Sequence, residues 1–527
     1  MGPSRRYASP RVALLMISIG WAVPGMTQTA LPPSEATELS DSLHELKEQV
    51  RELQSAVIEI RSEAAEYRAE AQVLRRELDD TRAQLQLQER GAEEKASAQG
   101  APREPNSSNS GSPGEDTRQA DHMAKLEEEF QLLSGKVDEQ YQTKVESASK
   151  YRVRLSGIVL FNLFSNHGRV DNLDIPSLAY PVPEGTSDTS FGATLRQSQV
   201  GLEVFGPYLA GARSSADVQF DFAGGFPTTL NGVNTGIVRL RTATARMDWA
   251  RTSIVAGQDG LFFSPLTPTS FASLATPAFS YAGNLWGWTP QVRVEHRFLQ
   301  SENSRLVVEG GIFDSLSGEP PPYEDYRQAQ AGEASGQPAY ASRVAWSGTI
   351  FGQPLTLGAG GYYGLQNYGF GRKVDGWAAT TDWNLPLGRS FSLDGEFYRG
   401  RAVGGLGGGI GRSVLFSGMP TSPTSAIQPL DSLGGWTQLK FRPAAKVELN
   451  AAFGQDNPYA QDLRTFPHGY AYLNPGLARN QAWMANVIFR PRSDLLLSAE
   501  YRHLKTYVIT NDRYSADHVN LMMGVLF

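Results

Sequence analysis

The chain has 527 residues, no cysteine, 53 glycines and a formal net charge of -7 at pH 7. The lack of cysteine excludes a disulfide framework, a thiolate nucleophile and cysteine-ligated zinc or iron–sulfur sites. The negative charge argues against binding to duplex nucleic acid, which needs a basic surface. A mean hydropathy of -0.34 is typical of a water-soluble protein, but averaged hydropathy misses strands that are apolar on one face only.

Residues 1–30 are predicted to be an export signal. Arg5, Arg6 and Arg11 precede a short apolar run, Val12–Val23, and small residues follow up to a cleavage point after Ala30. A membrane-spanning helix needs about 20 apolar residues, so this run is too short to be an anchor. The Arg5–Arg6 pair leaves a twin-arginine signal open, although its surroundings fit that motif poorly. We therefore expect the mature chain to be exported.

Residues 31–95 carry a heptad repeat that predicts a parallel α-helical coiled coil and therefore a homo-oligomer. The two seam positions are occupied by Leu43, Val50, Val57, Ala64, Ala71, Leu78 and Leu85, and by Leu39, Leu46, Leu53, Ile60, Tyr67, Leu74 and Thr81. Glutamates at g positions face arginines at e positions only if the chains are parallel; the pairs are Glu63 with Arg68, Glu70 with Arg75, and Glu77 with Arg82. The number of chains stays open, and a single amphipathic helix on a globular body is the alternative.

Two short segments connect this coil to the rest of the chain. Residues 96–120 are rich in Gly, Ser, Pro, Asn and Glu, which predicts a flexible linker. Residues 121–149 resume an apolar helical spacing through Leu126, Phe130, Leu133 and Val137. They are predicted to form a short helix that leads into the main body.

From residue 150 onwards the apolar period changes to two, as in β-strands. In the first segment Val153, Leu155, Val159 and Phe161 alternate with mostly polar residues. Sixteen such segments begin near residues 152, 191, 211, 235, 251, 287, 304, 339, 355, 373, 389, 433, 445, 480, 494 and 517, and short connections alternate with long ones. This pattern predicts an all-β transmembrane barrel of about 16 antiparallel strands over residues 150–527, with the short turns on the periplasmic side. A soluble β-sandwich is the alternative, but it does not explain sixteen consecutive hairpins.

Aromatic residues add to the barrel interpretation. The chain ends on Phe527 after an alternating strand. Tryptophans near the ends of predicted strands are expected in the two interface belts; they are Trp249, Trp286, Trp288, Trp346, Trp377, Trp383, Trp436 and Trp483.

The layout of export signal, parallel coil and sixteen-stranded barrel resembles trimeric outer-membrane porins of the phosphate-selective O/P type, and within them the DcaP-like branch. Local matches are YRVRLSGIVLFNLF at the start of the barrel, ATLRQSQVGLEVFGP at the second strand and TSIVAGQDGLFFSPL before the third long loop. The resemblance implies a homotrimer in the outer membrane of a Gram-negative bacterium, three separate pores, a third loop folded inward and preference for small anionic solutes. It also implies that the coil lies in the periplasm.

The strand alternation predicts which charges face the lumen of such a barrel. Basic candidates for the pore lining are Arg152, Arg154, Arg239, Arg241, Arg293, Arg297 and Arg343. We expect an Arg-rich stripe to attract carboxylate- or phosphate-bearing solutes, because guanidinium binds such anions through two parallel hydrogen bonds. The alternative is that these arginines pair with neighbouring Glu and Asp and only keep the lumen wet.

The third long loop, 259–286, is apolar and carries a single charge. Its candidate residues are Asp259, Phe262, Phe263, Phe271, Phe279 and Tyr281. Such a segment is expected either to narrow the pore or to pack between subunits; the resemblance favours a constriction.

No enzymatic motif is recognisable, so no enzyme activity, cofactor or metal site is predicted. The seven histidines are scattered without the spacing of a triad or a metal centre. The run Gly404–Gly409 lacks the Lys-Ser/Thr of a phosphate-binding loop and is interpreted as a flexible part of an external loop. The function predicted is a porin for passive diffusion of small hydrophilic, anionic solutes, with a coil of about 75 Å that reaches towards peptidoglycan. The alternative is an adhesin or envelope tether in which the barrel is only an anchor.

Overall fold

The computed structural model describes residues 144–146 and 152–527, apart from 226–235, 302–303, 321–325 and 467–468. The predicted export signal (1–30), coiled coil (31–95) and linker (96–120) lie outside the described residues, as does most of the predicted helix 121–149. Its described part, Lys144–Glu146, is a strand that pairs with Arg152–Arg154. The helical prediction is therefore wrong for these residues.

Sixteen antiparallel strands form the barrel wall. Their bounds are β1 Arg152–His167, β2 Thr189–Thr194 with Gln199–Leu209, β3 Ala212–Asp221, β4 Arg239–Asp248, β5 Thr252–Asp259, β6 Thr289–Ser301, β7 Ser304–Phe313, β8 Ala339–Ile350, β9 Gln353–Asn367, β10 Lys373–Pro386, β11 Phe391–Arg401, β12 Asp431–Ala444, β13 Val447–Pro458, β14 Leu477–Arg492, β15 Leu495–Val508 and β16 Arg513–Leu526. The predicted number is confirmed. The largest displacements between predicted and observed starts are at β4 (235 against Arg239) and β16 (517 against Arg513).

The sheet closes because β1 pairs with strands on both of its sides. Its residues Arg152–Ile158 and Asn162–His167 pair with the two parts of β2, and Ile158–His167 pair with β16. Beyond the last strand, Phe527 and Gly157 exchange two backbone hydrogen bonds of 2.8 and 3.1 Å. β16 pairs with β1 only from Ile158 onwards, so the first residues of β1 have no partner from β16. The strand Lys144–Glu146 pairs with Arg152–Arg154 there and satisfies their backbone hydrogen bonds.

The connections are short at one end of the barrel and mostly long at the other. At the long end they are loop 1 (168–188), loop 2 (222–238), loop 3 (260–288), loop 4 (314–338), loop 5 (368–372), loop 6 (402–430), loop 7 (459–476) and loop 8 (509–512). These loops contain the strand pairs Arg169–Val170 with Ala179–Tyr180 and Val414–Phe416 with Ile427–Pro429, the 3-10 helices Glu333–Ser335, Gly404–Leu406 and Gly409–Gly411, and the α-helix Ala460–Leu463. In the described part of the chain, none of the helices has the length and apolar character needed to cross a membrane.

The two faces of the wall differ as a lipid-facing barrel requires. On β16 the outward Leu521 and Met523 are both 50% exposed, whereas the inward Asn520 and Met522 are 0% and 4% exposed. Trp346, Trp377 and Trp483 face outward, as predicted for an interface belt. Trp436 is buried inside the barrel, so the belt prediction is wrong for that residue.

Candidate functional site

Loop 3 lies inside the barrel, where inward-facing side chains of the wall hold its backbone. On β11, the Glu396 carboxylate accepts hydrogen bonds from the Ser264 hydroxyl at 2.8 Å and from the Leu266 N–H at 2.7 Å. On the neighbouring β10, the Thr380 hydroxyl donates to the carbonyl of Phe263 at 2.5 Å. The first part of the loop is therefore fixed to strands that lie five and six positions along the wall from its own origin at β5.

The middle of loop 3 continues along β12, β14 and β15. The Thr269 N–H donates to Gln438 Oε1 at 2.7 Å, and Asn486 Nδ2 donates to the Thr269 carbonyl at 2.8 Å. The Ser270 hydroxyl donates to the Glu500 carboxylate at 2.6 Å. Gln438 and Glu500 are buried, so these are bonds of the interior and not of the outer surface.

The loop then reaches β2 and β4, close to where the chain left the wall. Gln197 Oε1 accepts the Leu274 N–H at 2.8 Å. Arg241 Nη1 donates to the Leu274 carbonyl at 2.6 Å and Arg239 Nη2 donates to the Ala275 carbonyl at 2.5 Å. Loop 3 thus follows the wall from β10 to β4 by way of β1, where Asn162 donates to the Phe271 carbonyl. Its aromatic first part also contacts β6 and β7.

The aromatic residues predicted in loop 3 pack against the wall. Phe262, Phe263 and Phe279 are buried. The Phe263 ring stacks on Tyr362 at 5.6 Å and on Phe313 at 5.9 Å between ring centroids. Phe279 and Tyr281 have φ of 63° and 61°, a left-handed conformation that is uncommon for bulky residues and that the surrounding contacts must hold. Phe271 is half-buried and lies 5.7 Å from the Arg490 guanidinium.

A cavity of about 540 Å³ lies between loop 3 and the wall formed by β4 and β6–β8. Three guanidinium groups line it, those of Arg241, Arg293 and Arg343, together with the carboxylates of Asp259 and Glu309. The loop side contributes mostly apolar and hydroxyl groups. The structure therefore brings three of the seven predicted arginines to one space.

Each of these three arginines has carboxylate partners. Arg241 lies 3.1 Å from Asp221, which also binds Arg239 at 2.6 Å. Arg293 binds Asp259 at 2.7 Å and Glu295 at 3.1 Å. The pairs of Arg343 are with Asp382 at 2.7 Å and Glu309 at 3.0 Å. The guanidinium groups are thus held in fixed positions on the wall.

Glycines on β9 make room for the ion pair between Arg343 on β8 and Asp382 on β10. Gly360 lies opposite Arg343, and Gly358 lies opposite Asp382. A Cβ atom on Gly358 would overlap with the Asp382 carboxylate. Because these two positions carry no side chain, Arg343 reaches across β9 to Asp382.

Trp288, a residue expected in a belt, also lines the cavity. Its ring lies 4.6 Å from the Arg241 guanidinium and 5.0 Å from that of Arg239, distances typical of cation–π contacts. The indole of Trp286 packs edge-on against it at 5.4 Å. Both tryptophans belong to the interior, so the belt prediction is wrong for them too.

The other predicted basic residues lie elsewhere on the wall. Arg297 donates to the Ser253 hydroxyl at 2.9 Å and lies 4.0 Å from Glu295, near the short turns. Arg154 lies 3.7 Å from Glu203, with both side chains about half exposed. Arg152 is exposed at the start of β1. The structure does not bring these three to the cavity.

Loop 6 enters the barrel as well, which corrects the interpretation of Gly404–Gly409 as flexible. Gly404, Leu406 and Ile410 are buried, and Gly407 and Gly409 have φ of 83° and 57°. A Cβ on Gly404 would overlap with the backbone of the same loop near Arg412. The glycines are therefore needed for tight turns and close packing.

Arg412 fixes loop 6 to loop 7. Its side chain is fully buried and donates to the carbonyls of Asn474, Pro475 and Leu477 at 2.9, 2.7 and 2.5 Å. Burial lowers the pKa of Arg412 to about 10, so the guanidinium still carries its charge at neutral pH. Loops 3 and 6 meet where the backbone N–H of Trp286 donates to the backbone carbonyl of Leu406 at 3.0 Å.

The part of the barrel and its loops that the structure describes contains no cluster of three His, Asp or Glu side chains able to hold a metal ion. Sequence reasoning missed the anchors Gln197, Gln438 and Asn486, since neutral amides on inward positions carry no distinctive signal. Strand parity puts Glu396 and Glu500 on the inward face, but only the structure connects them with loop 3.

No known family model matches the chain, and no curated protein sequence matches it. Among solved structures, the outer membrane channel DcaP of Acinetobacter baumannii is 17% identical, with a TM-score of 0.54, and the match covers 73% of this chain and 100% of that chain. The anion-selective porin from Comamonas acidovorans is 12% identical, with a TM-score of 0.44 and coverage of 72% and 100%. OprB of Pseudomonas putida is 13% identical, with a TM-score of 0.44 and coverage of 71% and 94%. The likeness to DcaP shows that the chain has the fold predicted for residues 150–527, a closed 16-stranded β-barrel.

Proposed function

We propose that the chain is an outer-membrane porin that lets small hydrophilic solutes, preferentially anions, diffuse through a water-filled channel. A barrel of sixteen strands is too wide for the side chains of its own wall to fill. The observation that carries the proposal is the ionic cavity of about 540 Å³ between loop 3 and strands β4–β8. The fold shared with DcaP, an outer membrane channel, supports the same function.

The preference for anions rests on the three guanidinium groups at the cavity. Arg239 and Arg241 share one carboxylate, that of Asp221, so these three side chains together carry one net positive charge. A guanidinium has five N–H donors in a planar fork and can bind a passing carboxylate or phosphate while it keeps its partner on the wall. The alternative is that the ion pairs cancel and leave the pore unselective.

Planar-bilayer recording of the purified mature protein tests both parts of the proposal. We expect discrete channel openings and, in asymmetric salt, a reversal potential on the anion-selective side. Arg239→Glu with Arg241→Glu is expected to shift that potential towards cations, because the field in a narrow water path depends on nearby fixed charges.

The control replaces Arg389 and Arg492, which are exposed at the short-turn end, by Glu. If the protein does not conduct, the porin function is wrong and a tether becomes the better explanation. If it conducts but the first pair of substitutions leaves the anion-to-cation ratio unchanged, only the anion preference is wrong.

We further propose that three chains assemble into a homotrimer, clamped by the parallel coil of residues 31–95 in the periplasm, where the coil contacts peptidoglycan. The heptad seam and the Glu–Arg matches support parallel association. Light scattering of the mature protein in detergent should give the mass of three chains, and the protein should sediment with purified peptidoglycan only when the coil is present. A monomeric mass would contradict the trimer; sedimentation without the coil would contradict its role in binding.

A further inference from the structure

A row of basic residues lies on the outward face of the barrel at the long-loop end. Tyr507 on β15 is directly opposite Arg479 on β14 and Arg513 on β16, and Lys505 is in the adjacent row. The outward direction follows from the alternation of β15, where Thr506 and Val508 are buried on the other face. Residues opposite each other in antiparallel strands have Cβ atoms about 5 Å apart, so the three cations form one group around the tyrosine ring.

These cations differ from the arginines inside the barrel because they have no acidic partner among the described residues. The Arg479 guanidinium lies 4.2 Å and the Lys505 ammonium 5.3 Å from the centre of the Tyr507 ring. Arg479 Nε is shielded from solvent and has no hydrogen-bond partner within the described structure. Three positive charges at one place without a counter-ion indicate that an anion from outside the chain completes the group.

Two carboxylates that neighbour the row along the chain or on the next strand are already engaged. Asp517, one row below Lys505, accepts hydrogen bonds from Tyr501 at 2.6 Å and lies 2.7 Å from His503 Nδ1. Asp512 in loop 8 accepts the Thr510 hydroxyl at 2.9 Å. Neither forms an ion pair with the basic row.

An apolar groove lies below the basic row on the same face. It has a volume of about 550 Å³ and crosses the strands where Ala451, Ala485 and Ala499 leave a depression between larger neighbours such as Leu449 and Val519. Tyr501, at the edge of the groove, is six residues from Tyr507 along β15, which is about 20 Å at 3.3 Å per residue. A molecule with an anionic head at the row would therefore extend an apolar tail along the wall into this groove.

We propose that Arg479, Lys505 and Arg513 bind the phosphate group of an acylated lipid in the outer leaflet, with an acyl chain in the groove below. The position of the row favours a lipid over a soluble anion, because it lies on the outward face directly above the apolar belt. The proposal rests on the membrane location in the proposed function and is independent of conduction through the barrel.

Native mass spectrometry of the full mature protein in detergent tests the site, with bis-phosphorylated lipid A and its dephosphorylated form as probes. We expect the phosphorylated lipid to bind about tenfold more tightly, since each charged hydrogen bond lost costs at least that factor. Arg479→Gln, Lys505→Gln and Arg513→Gln together should remove this difference. The matched control removes three exposed cations at the other end of the barrel through Arg389→Gln, Lys446→Gln and Arg492→Gln, and should retain it.

Three outcomes would overturn the lipid site: equal binding of both lipids, an unchanged preference in the triple variant, or displacement of the lipid by millimolar inorganic phosphate. The last would assign the row to a soluble anion instead. Single-channel conductance of the triple variant should equal that of the wild type. A protein that binds the lipid but does not conduct would thus contradict the porin function and leave the lipid site standing.

Discussion

Glu396 on β11 and Leu266 in loop 3 are joined by a 2.7 Å hydrogen bond from the backbone N–H to the carboxylate. The same carboxylate accepts the Ser264 hydroxyl. Since Glu396 is only 3% exposed, both bonds lie in the barrel interior. One side chain thus sets the position of the loop that borders the cavity.

Glu396→Ala should loosen loop 3. The substitution leaves a buried N–H and a hydroxyl without acceptor, which lowers the free energy of unfolding by about 2 kcal/mol. We expect a lower melting temperature and larger current noise in single-channel recordings. Glu203→Ala is the matched control, because its half-exposed carboxylate lies 3.7 Å from Arg154. Equal noise in both variants would show that Glu396 does not position the loop.

Deletion of residues 266–278 tests whether loop 3 narrows the channel. These residues carry the contacts with Gln438, Glu500 and Gln197. Their removal should raise the single-channel conductance, because the loop then no longer occupies part of the barrel interior. Deletion of the exposed residues 182–187 of loop 1 is the control and should leave the conductance unchanged. An unchanged conductance after the first deletion would contradict a constriction by this loop.

Asp221→Asn should increase the preference for anions and destabilise the barrel. Asp221 is fully buried and binds both Arg239 and Arg241, so its neutralisation leaves two guanidinium groups without a counter-charge. Breaking a buried pair in this way lowers the free energy of unfolding by about 3 kcal/mol. The reversal potential in asymmetric salt and the urea midpoint measure the two effects.

Asp217→Asn is the control for Asp221, since Asp217 lies on the same strand and accepts hydrogen bonds from Thr242 and Thr244. It removes the same charge without releasing an arginine. We expect a smaller shift in the reversal potential. Shifts of equal size would mean that total charge, and not the Arg239–Arg241 pair, decides selectivity.

The contact between loops 4 and 6 should depend on pH through Glu319. The half-buried carboxylate of this residue accepts the N–H groups of Ser413 and Val414 and the Tyr368 hydroxyl. Burial raises the pKa of Glu319 above its ordinary value, and the hydrogen bonds only partly oppose that shift. The folded state therefore binds the proton more tightly than the unfolded loop, so the contribution of Glu319 to stability is greatest at low pH and falls as pH rises through the raised pKa.

Hydrogen exchange of the amides of residues 404–416, corrected for the intrinsic effect of pH, measures this dependence. Protection should increase as the pH is lowered from 7 towards 4. Glu319→Gln should abolish the trend, whereas Glu184→Gln, at an exposed position of loop 1, should preserve it. A trend that persists in Glu319→Gln would assign the pH dependence to another group.

The wall could be predicted from the sequence because the face of each residue follows from its parity along a strand. Leu521 and Met523 alternate with Asn520, and this pattern alone places the first two outside and the third inside. The same parity placed Arg239, Arg293 and Arg343 on the inward face. Local alternation is sufficient for these predictions, since strand pairing does not change which face a side chain occupies.

The interior could not be predicted in the same way, because it depends on contacts between segments far apart in the chain. Glycines at 404–409 have the composition of a flexible loop, and only their packing beside Arg412 shows that they are fixed. Trp288 and Trp436 lie near the ends of predicted strands, where belt residues are expected, but both are found inside the barrel. Arg343 reaches Asp382 across Gly358 and Gly360 of β9, and the position of these glycines opposite the ion pair depends on the register of three strands.

The hydrogen bonds between Gly157 and Phe527 continue the closure of the barrel beyond the β1–β16 pairing. Without β16, β1 has no partner on this side over Ile158–His167 and remains an open edge there. A protein truncated before β16 would keep that edge and the edge of β15, and exposed edges recruit other strands. The pairing of β1 with β16 is therefore also what keeps the barrel from associating with other chains through free strand edges.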